Sequence, residues 1–129
     1  MNSISKLVTV IFCSTVIVGC SNVQSKGGKD WIGYTEKGKA SFYADKHQSR
    51  KTANGEIYKH SLSTAAHKTL PFGARVKVTN LDNRKSVVVK VNDRGPFVRG
   101  RVIDLSKSAF SNIASTSAGI INVEIEVIK

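Results

Sequence analysis

Glu56, His67, Asp93 and Asp104 are the acidic and imidazole residues of this 129-residue chain that a scaffold would expose. Each lies at the end of a short run beside a turn former. Glu56 closes Thr52-Ala53-Asn54-Gly55-Glu56, His67 follows Leu62 to Ala66, and Asp93 and Asp104 flank Gly95-Pro96. Turns at strand ends are where a rigid β scaffold presents its chemistry. Carboxyls whose environments differ can divide acid–base work. One protonates the leaving oxygen of a glycosidic bond, and another group stabilises or deprotonates the reacting sugar. Each residue also has a duller explanation: an Asx-type turn onto Gly95 for Asp93, a helix start for Asp104, a solvated turn carboxylate for Glu56, and a backbone-bonded imidazole for His67. His47 and His60 sit in polar loops and are assigned no role.

The elements that must position these groups are mostly strands. In Ala74 to Asn80, Val76 and Val78 share one face; in Lys85 to Asn92, Val87, Val89 and Val91 do. Leu81-Asp82-Asn83-Arg84 between them reads as a turn, so the pair is a hairpin. Val123, Ile125 and Val127 alternate with Glu124 and Glu126, and shorter strands are expected around Ala40 to Tyr43, Leu62 to Ala65 and Arg101 to Ile103. One helix is expected after Ser106, which caps it, with Ala109, Phe110 and Ile113 as its apolar stripe. Six short strands and one helix point to a small closed barrel, which also leaves no exposed sheet edge.

Residues 1–19 read as a lipoprotein signal peptide. Lys6 precedes an apolar run from Leu7 to Val18, shorter than the ~20 residues of a bilayer span. Ile17-Val18-Gly19-Cys20 resembles a bacterial lipobox, which would leave Cys20 as a lipidated first residue on a tether over residues 20–37, with the barrel over 38–129. Ser21 after that cysteine resembles the outer-membrane sorting pattern of Gram-negative lipoproteins, and that resemblance implies a place in the cell envelope, on the outer membrane facing the periplasm. Processing removes Cys13 and acylates Cys20, so no disulfide is expected. Three scattered histidines give no metal site, and no cofactor is called for. Removing Lys6 with the signal leaves 19 basic against nine acidic residues, a net +10. An exported lipoprotein meets no nucleic acid, so the charge is read as attraction to anionic surfaces.

From about Gly38 onward the chain resembles the rare lipoprotein A (RlpA) family of double-psi β-barrel proteins. The matching segments are Gly38 to Tyr43, Thr52 to Glu56, Thr64 to Pro71, Val78 to Leu81, Val91-Asn92-Asp93-Arg94-Gly95-Pro96-Phe97 and Gly100 to Ser106. The resemblance implies lytic transglycosylase activity on peptidoglycan glycan strands. Such enzymes break the MurNAc-β-1,4-GlcNAc bond by attack of the muramic C6 hydroxyl, leaving a 1,6-anhydro end. It places functional weight on Glu56, His67 and Asp93, and matches Asp104 to an aspartate of expansin-like barrels. Asp93 is then the acid and later the base, His67 tunes it, and Glu56 and Asp104 hold hydroxyls or stabilise positive charge. Asp93 and Asp104 could exchange roles. Phe42, Tyr43, Thr52, Asn54 and Arg94 would lie along the substrate, and Arg94, Arg99 and Arg101 could meet stem-peptide carboxylates.

Several departures stand out. Phe42 and Ala44 replace the family's usual Trp and Gly, and Asp82-Asn83-Arg84 lacks the turn glycine, which should cost stability. Many relatives continue into a C-terminal glycan-binding domain. With the sequence ending at Lys129, localisation through the lipid is the expectation, and a monomer is expected. Two other readings remain: a non-catalytic, expansin-like wall-binding module, and hydrolysis by a carboxylate pair.

Overall fold

The computed structural model describes residues 30–129, so the expected signal peptide and Cys20 lie outside the described residues. The strands are β1 (Thr35–Phe42), β2 (Thr64–Ala66), β3 (Arg75–Asn80), β4 (Ser86–Asp93), β5 (Arg101–Leu105) and β6 (Ile121–Val127), with helix α1 (Lys107–Ile113) between β5 and β6. They close in the order β1-β5-β2-β4-β3-β6. Two pairs, β1–β5 and β2–β4, are parallel, and the remaining neighbours are antiparallel.

Alternation fills this barrel. Val76, Val78, Val89, Val91, Val123 and Ile125 point inward and are essentially inaccessible, together with Ala40, Ile103 and Leu105. Side chains on alternate positions therefore make one shared core. Gly38 on β1 lets β5 approach closely, because a Cβ there would meet Val102 Cγ1 at 2.3 Å. The helix matches its expectation: Ser106 accepts from the Ala109 amide, and Ala109, Phe110 and Ile113 are buried.

One boundary differs. β1 starts at Thr35, within the expected tether, because β6 supplies partners for Thr35, Glu36 and Lys37. Trp31 and Tyr34 extend the order further, packing edge to face at 5.2 Å and against the core. A polar, glycine-bearing segment reads as unstructured until the sheet that pairs with it is known.

The register of both parallel pairs slips by one residue. Between β2 and β4 the partners step from Ala65↔Val91 to Ala66↔Asp93, leaving Asn92 as the extra residue. Between β1 and β5 they step from Lys39↔Arg101 to Ala40↔Ile103, leaving Val102 extra. Strict alternation would turn Asp93 to the same side as Val91, inside the barrel. The extra residue reverses that, as bulges do. Lys90-Val91-Asn92-Asp93 and Arg101-Val102-Ile103-Asp104 thus share one pattern: an outer basic residue, two buried residues, then an outer aspartate.

Candidate active site

Ala66 pairs with Asp93 on one side and with Asp104 on the other. The two aspartates therefore flank one small buried residue across two strand spacings, roughly 10 Å between backbones. Both line a groove of ≈ 400 Å³, together with Phe42, Tyr43, Arg101 and Phe97.

Asp93 is held by neutral donors. Its Oδ2 accepts from the Tyr43 hydroxyl at 2.6 Å, and its Oδ1 accepts from the Ala53 and Arg94 amides, each at 2.9 Å. Tyr43 stacks on buried Tyr58, with centroids 4.3 Å apart. Burial, and then the bond to Asp93, push the Tyr43 hydroxyl far above its ordinary value of 10.0, so it stays a proton donor. Asp104 is held differently. Its Oδ1 carries an ion pair with the Arg101 guanidinium and a hydrogen bond from Ser41, the residue directly opposite on β1. Asp104 is a strand residue, and helix capping falls to Ser106.

His67 is brought near Asp93 through backbone rather than through its ring. Its amide donates to the Asp93 carbonyl at 3.1 Å. The ring is 3% exposed: Nδ1 accepts from the Thr69 and Leu70 amides, each at 3.1 Å, and Nε2 faces the Glu36 carboxylate at 3.0 Å. An Nδ1 that accepts two N–H bonds carries no proton, so Nε2–H donates to Glu36. The imidazole thus fixes the 67–70 turn.

That turn in turn holds Arg94, whose Nη1 donates to the Leu70 carbonyl at 2.9 Å and the His67 carbonyl at 3.3 Å while the guanidinium lies 4.0 Å over the Phe72 ring. Arg94, expected along the substrate, thus lines the groove while its Nη1 is bonded to these carbonyls. Arg101 lines the groove and pairs with Asp104, whereas Arg99 is exposed.

Glu56 is outside the groove lining. Its carboxylate takes the Asn54 side-chain amide and the Lys90 ammonium, the latter at 3.2 Å, and these two partners, Asn54 first, hold it below the usual carboxylate range. Thr52 and Asn54, expected along the substrate, lie outside the groove lining and organise this loop. The Thr52 hydroxyl donates to Asn54 Oδ1 at 2.7 Å, and that oxygen also accepts the Glu56 amide at 3.0 Å. Phe42 lines the groove but leans on Phe110, with centroids 4.7 Å apart, while Phe97 is 81% exposed at the rim.

Sequence reasoning missed Glu36, Ser41 and His47. Glu36 and Ser41 become visible only through pairing, since β6 orders Glu36 and β5 places Ser41 beside Asp104. His47 lines the groove and meets Tyr43 edge to face at 5.5 Å. Among the described residues, no group of three or more His, Cys, Asp or Glu side chains is placed to hold a metal ion.

Fold and site together define a small double-psi barrel with a two-aspartate groove. Residues 35–125 match the sequence family described as lytic transglycolase, and the chain belongs to that family. Among curated proteins it is 48% identical over 114 residues to "Endolytic peptidoglycan transglycosylase RlpA" of Pasteurella multocida, covering 88% of this chain and 38% of that protein. It is 59% identical over 96 residues to the protein of the same name from Vibrio cholerae, covering 74% and 36%. The chain thus spans well under half the length of these relatives. Among solved structures, the Streptomyces papain inhibitor superposes with a TM-score of 0.63 at 26% identity, covering 76% of this chain and 97% of that one. An expansin from Clavibacter michiganensis superposes with a TM-score of 0.58 at 21% identity, covering 74% and 51%, a likeness of fold alone.

Proposed function

We propose that this domain is an endolytic peptidoglycan lytic transglycosylase that cleaves the MurNAc-β-1,4-GlcNAc bond to give 1,6-anhydroMurNAc ends. The observation that carries the reading is Asp93, a groove carboxyl held only by neutral donors, in a chain of the lytic transglycolase family. Protonated Asp93 gives its proton to the leaving C4 oxygen of GlcNAc. The muramic C6 hydroxyl then bonds to its own C1, and its proton returns to Asp93. No water enters, and one acid–base residue suffices. Asp104, tied to Arg101, supplies a fixed negative charge beside the positive charge that develops on the sugar ring. A carboxyl committed to an ion pair is poorly suited to activating water, which weighs against hydrolysis by the pair. Phe97 offers an exposed ring to the apolar face of a sugar.

The same reading includes a lipid on Cys20, placement in the cell envelope at the outer membrane, and a monomer. The apolar run from Leu7 to Val18 and the Ile17-Val18-Gly19-Cys20 segment support the anchor. No helix among the described residues is long and apolar enough to cross a membrane. The test is incubation of the protein with peptide-free glycan strands. Anhydro-ended products, lighter by one water than lysozyme products, are expected from the parent and not from Asp93→Asn. Strands bound but left uncut by the parent would sink the enzymatic reading.

A further inference from the structure

We infer that Glu56 is a positioning residue that acts through Lys90: it holds the ammonium away from Asp93 and so leaves that carboxyl able to carry a proton. The inference rests on the transglycosylase reading and gives Glu56 a task that its place outside the groove permits.

The two bulged segments supply the reasoning. Arg101 lies three residues before Asp104, across two buried residues, and it pairs with that aspartate. Lys90 likewise lies three residues before Asp93 across two buried residues, although the extra residue directly precedes the aspartate in β4 and directly follows the base in β5. Lys90 is the outer basic residue of the Asp93 strand, and its ammonium goes to Glu56 instead of to the aspartate. Its Nζ lies 3.2 Å from Glu56 Oε1 and 3.2 Å from Oε2. The Thr52-Ala53-Asn54-Gly55-Glu56 loop is built for this aim. Asn54 grips the Glu56 carboxylate and amide, and the Ala53 amide of the same loop bonds Asp93. One loop thus holds the aspartate with a neutral donor and removes the neighbouring cation.

An opposite charge close to a carboxyl favours its ionised form, which is the wrong state for a proton donor. The other groups around Asp93 are Tyr43 at the end of β1, Arg94 next in the chain, His47 at the groove, and Asp104 with Arg101 on β5. Arg94 and Arg101 are committed to carbonyls and to Asp104 respectively, so Lys90 is the cation that Glu56 controls.

The test uses Glu56→Gln and the double variant Glu56→Gln/Lys90→Gln, all at half-exposed positions that tolerate exchange. Two readouts are followed on the whole protein: the pH–rate profile on peptide-free glycan strands, and NMR titration of the Asp93 side-chain carboxyl carbon. Glu56→Gln should move the Asp93 titration, and the alkaline limb of the profile, down by roughly one pH unit. At fixed pH above that limb this is about a tenfold loss of rate. The double variant should return both toward the parent. A Glu56→Gln titration identical to the parent would overturn the inference, as would a double variant as impaired as the single, since Glu56 would then act on the sugar itself. If the parent cuts no strands, the enzymatic reading falls, while the NMR titration still decides the role of Glu56.

Discussion

The β4 segment that ends in Asp93 and the β5 segment that ends in Asp104 are built alike and equipped differently. Each strand runs parallel to a neighbour, slips register by one residue, and so turns an aspartate out into the groove beside Ala66. In the β5 half the preceding base joins its aspartate; in the β4 half it joins Glu56. One backbone device thus yields a fixed charge on one side and a carboxyl bonded only by neutral donors on the other. The difference supports the proposed division of roles, with Asp93 as the proton carrier and Asp104 as the fixed charge.

The sharpest way to break the comparison is Asp93→Asn. The amide keeps the acceptor for the Ala53 and Arg94 amides, so the fold should hold within about 1 kcal/mol. Turnover should fall by about 10²–10⁴-fold, the range for losing a general acid–base group. Release of anhydro-muropeptides, measured beside thermal unfolding, checks both. An equal loss of stability would mean that the two aspartates do not differ in kind.

Asp104→Asn should give the opposite balance. It strands the partly buried Arg101 guanidinium and should cost about 2 kcal/mol, less than a fully buried pair because both groups keep some solvent. Turnover should drop about tenfold, by loss of a charge rather than of the proton carrier. Adding Arg101→Met should recover most of the stability but not the rate. Urea midpoints for the single and double variants decide the matter.

Tyr43→Phe removes the hydroxyl from Asp93 Oδ2 alone. The loss should be about 1 kcal/mol and a few-fold in turnover. Its clearer mark is in alkali. The hydroxyl resists ionisation in the folded chain, while in the unfolded chain it titrates near 10.0. The folded state therefore holds the proton more tightly, and stability is complete below pH 10 and declines as pH rises past it. Without the hydroxyl that component of the decline disappears. Melting temperatures of parent and Tyr43→Phe between pH 9 and 11 should show the parent falling more steeply.

Alternation and capping made the barrel and its helix readable, because Val76, Val78, Ile125 and Ser106 each declare their surroundings locally. The groove was readable as two aspartates near turns, and Asp93 and Asp104 do meet there. What stayed hidden depended on register. A one-residue slip decides whether Asp93 points in or out, and no residue type announces it. Glu36 looked like tether until β6 paired with it, so the partner of His67 lay out of view. His67, Arg94, Thr52 and Asn54 read in the sequence as chemistry-bearing types, and the structure shows each of them also bonded within the turns and loops around the groove. Polar side chains with several donors serve either purpose, and only their partners distinguish the two.

The smallest effect belongs to the hairpin that feeds the Asp93 half. Arg84 there has φ +63, the left-handed region where a β-carbon crowds the following carbonyl. The turn tolerates it because other bonds fix its shape. The Arg84 amide reaches the Asn80 carbonyl at 2.8 Å, and the side chains of Asn80 and Asn83 both donate to the Ile113 carbonyl at the end of α1. Arg84→Gly relieves about 1–2 kcal/mol of crowding but adds about 0.5–1 kcal/mol of freedom to the unfolded chain. The net should be a gain of up to about 1 kcal/mol, seen as a melting point higher by a few degrees. Turnover should not change, because the hairpin sets the register of β4 without touching the groove. A variant that loses activity as it gains stability would show that this turn holds Asp93 under tension, and the contrast between the halves would then extend to their backbones.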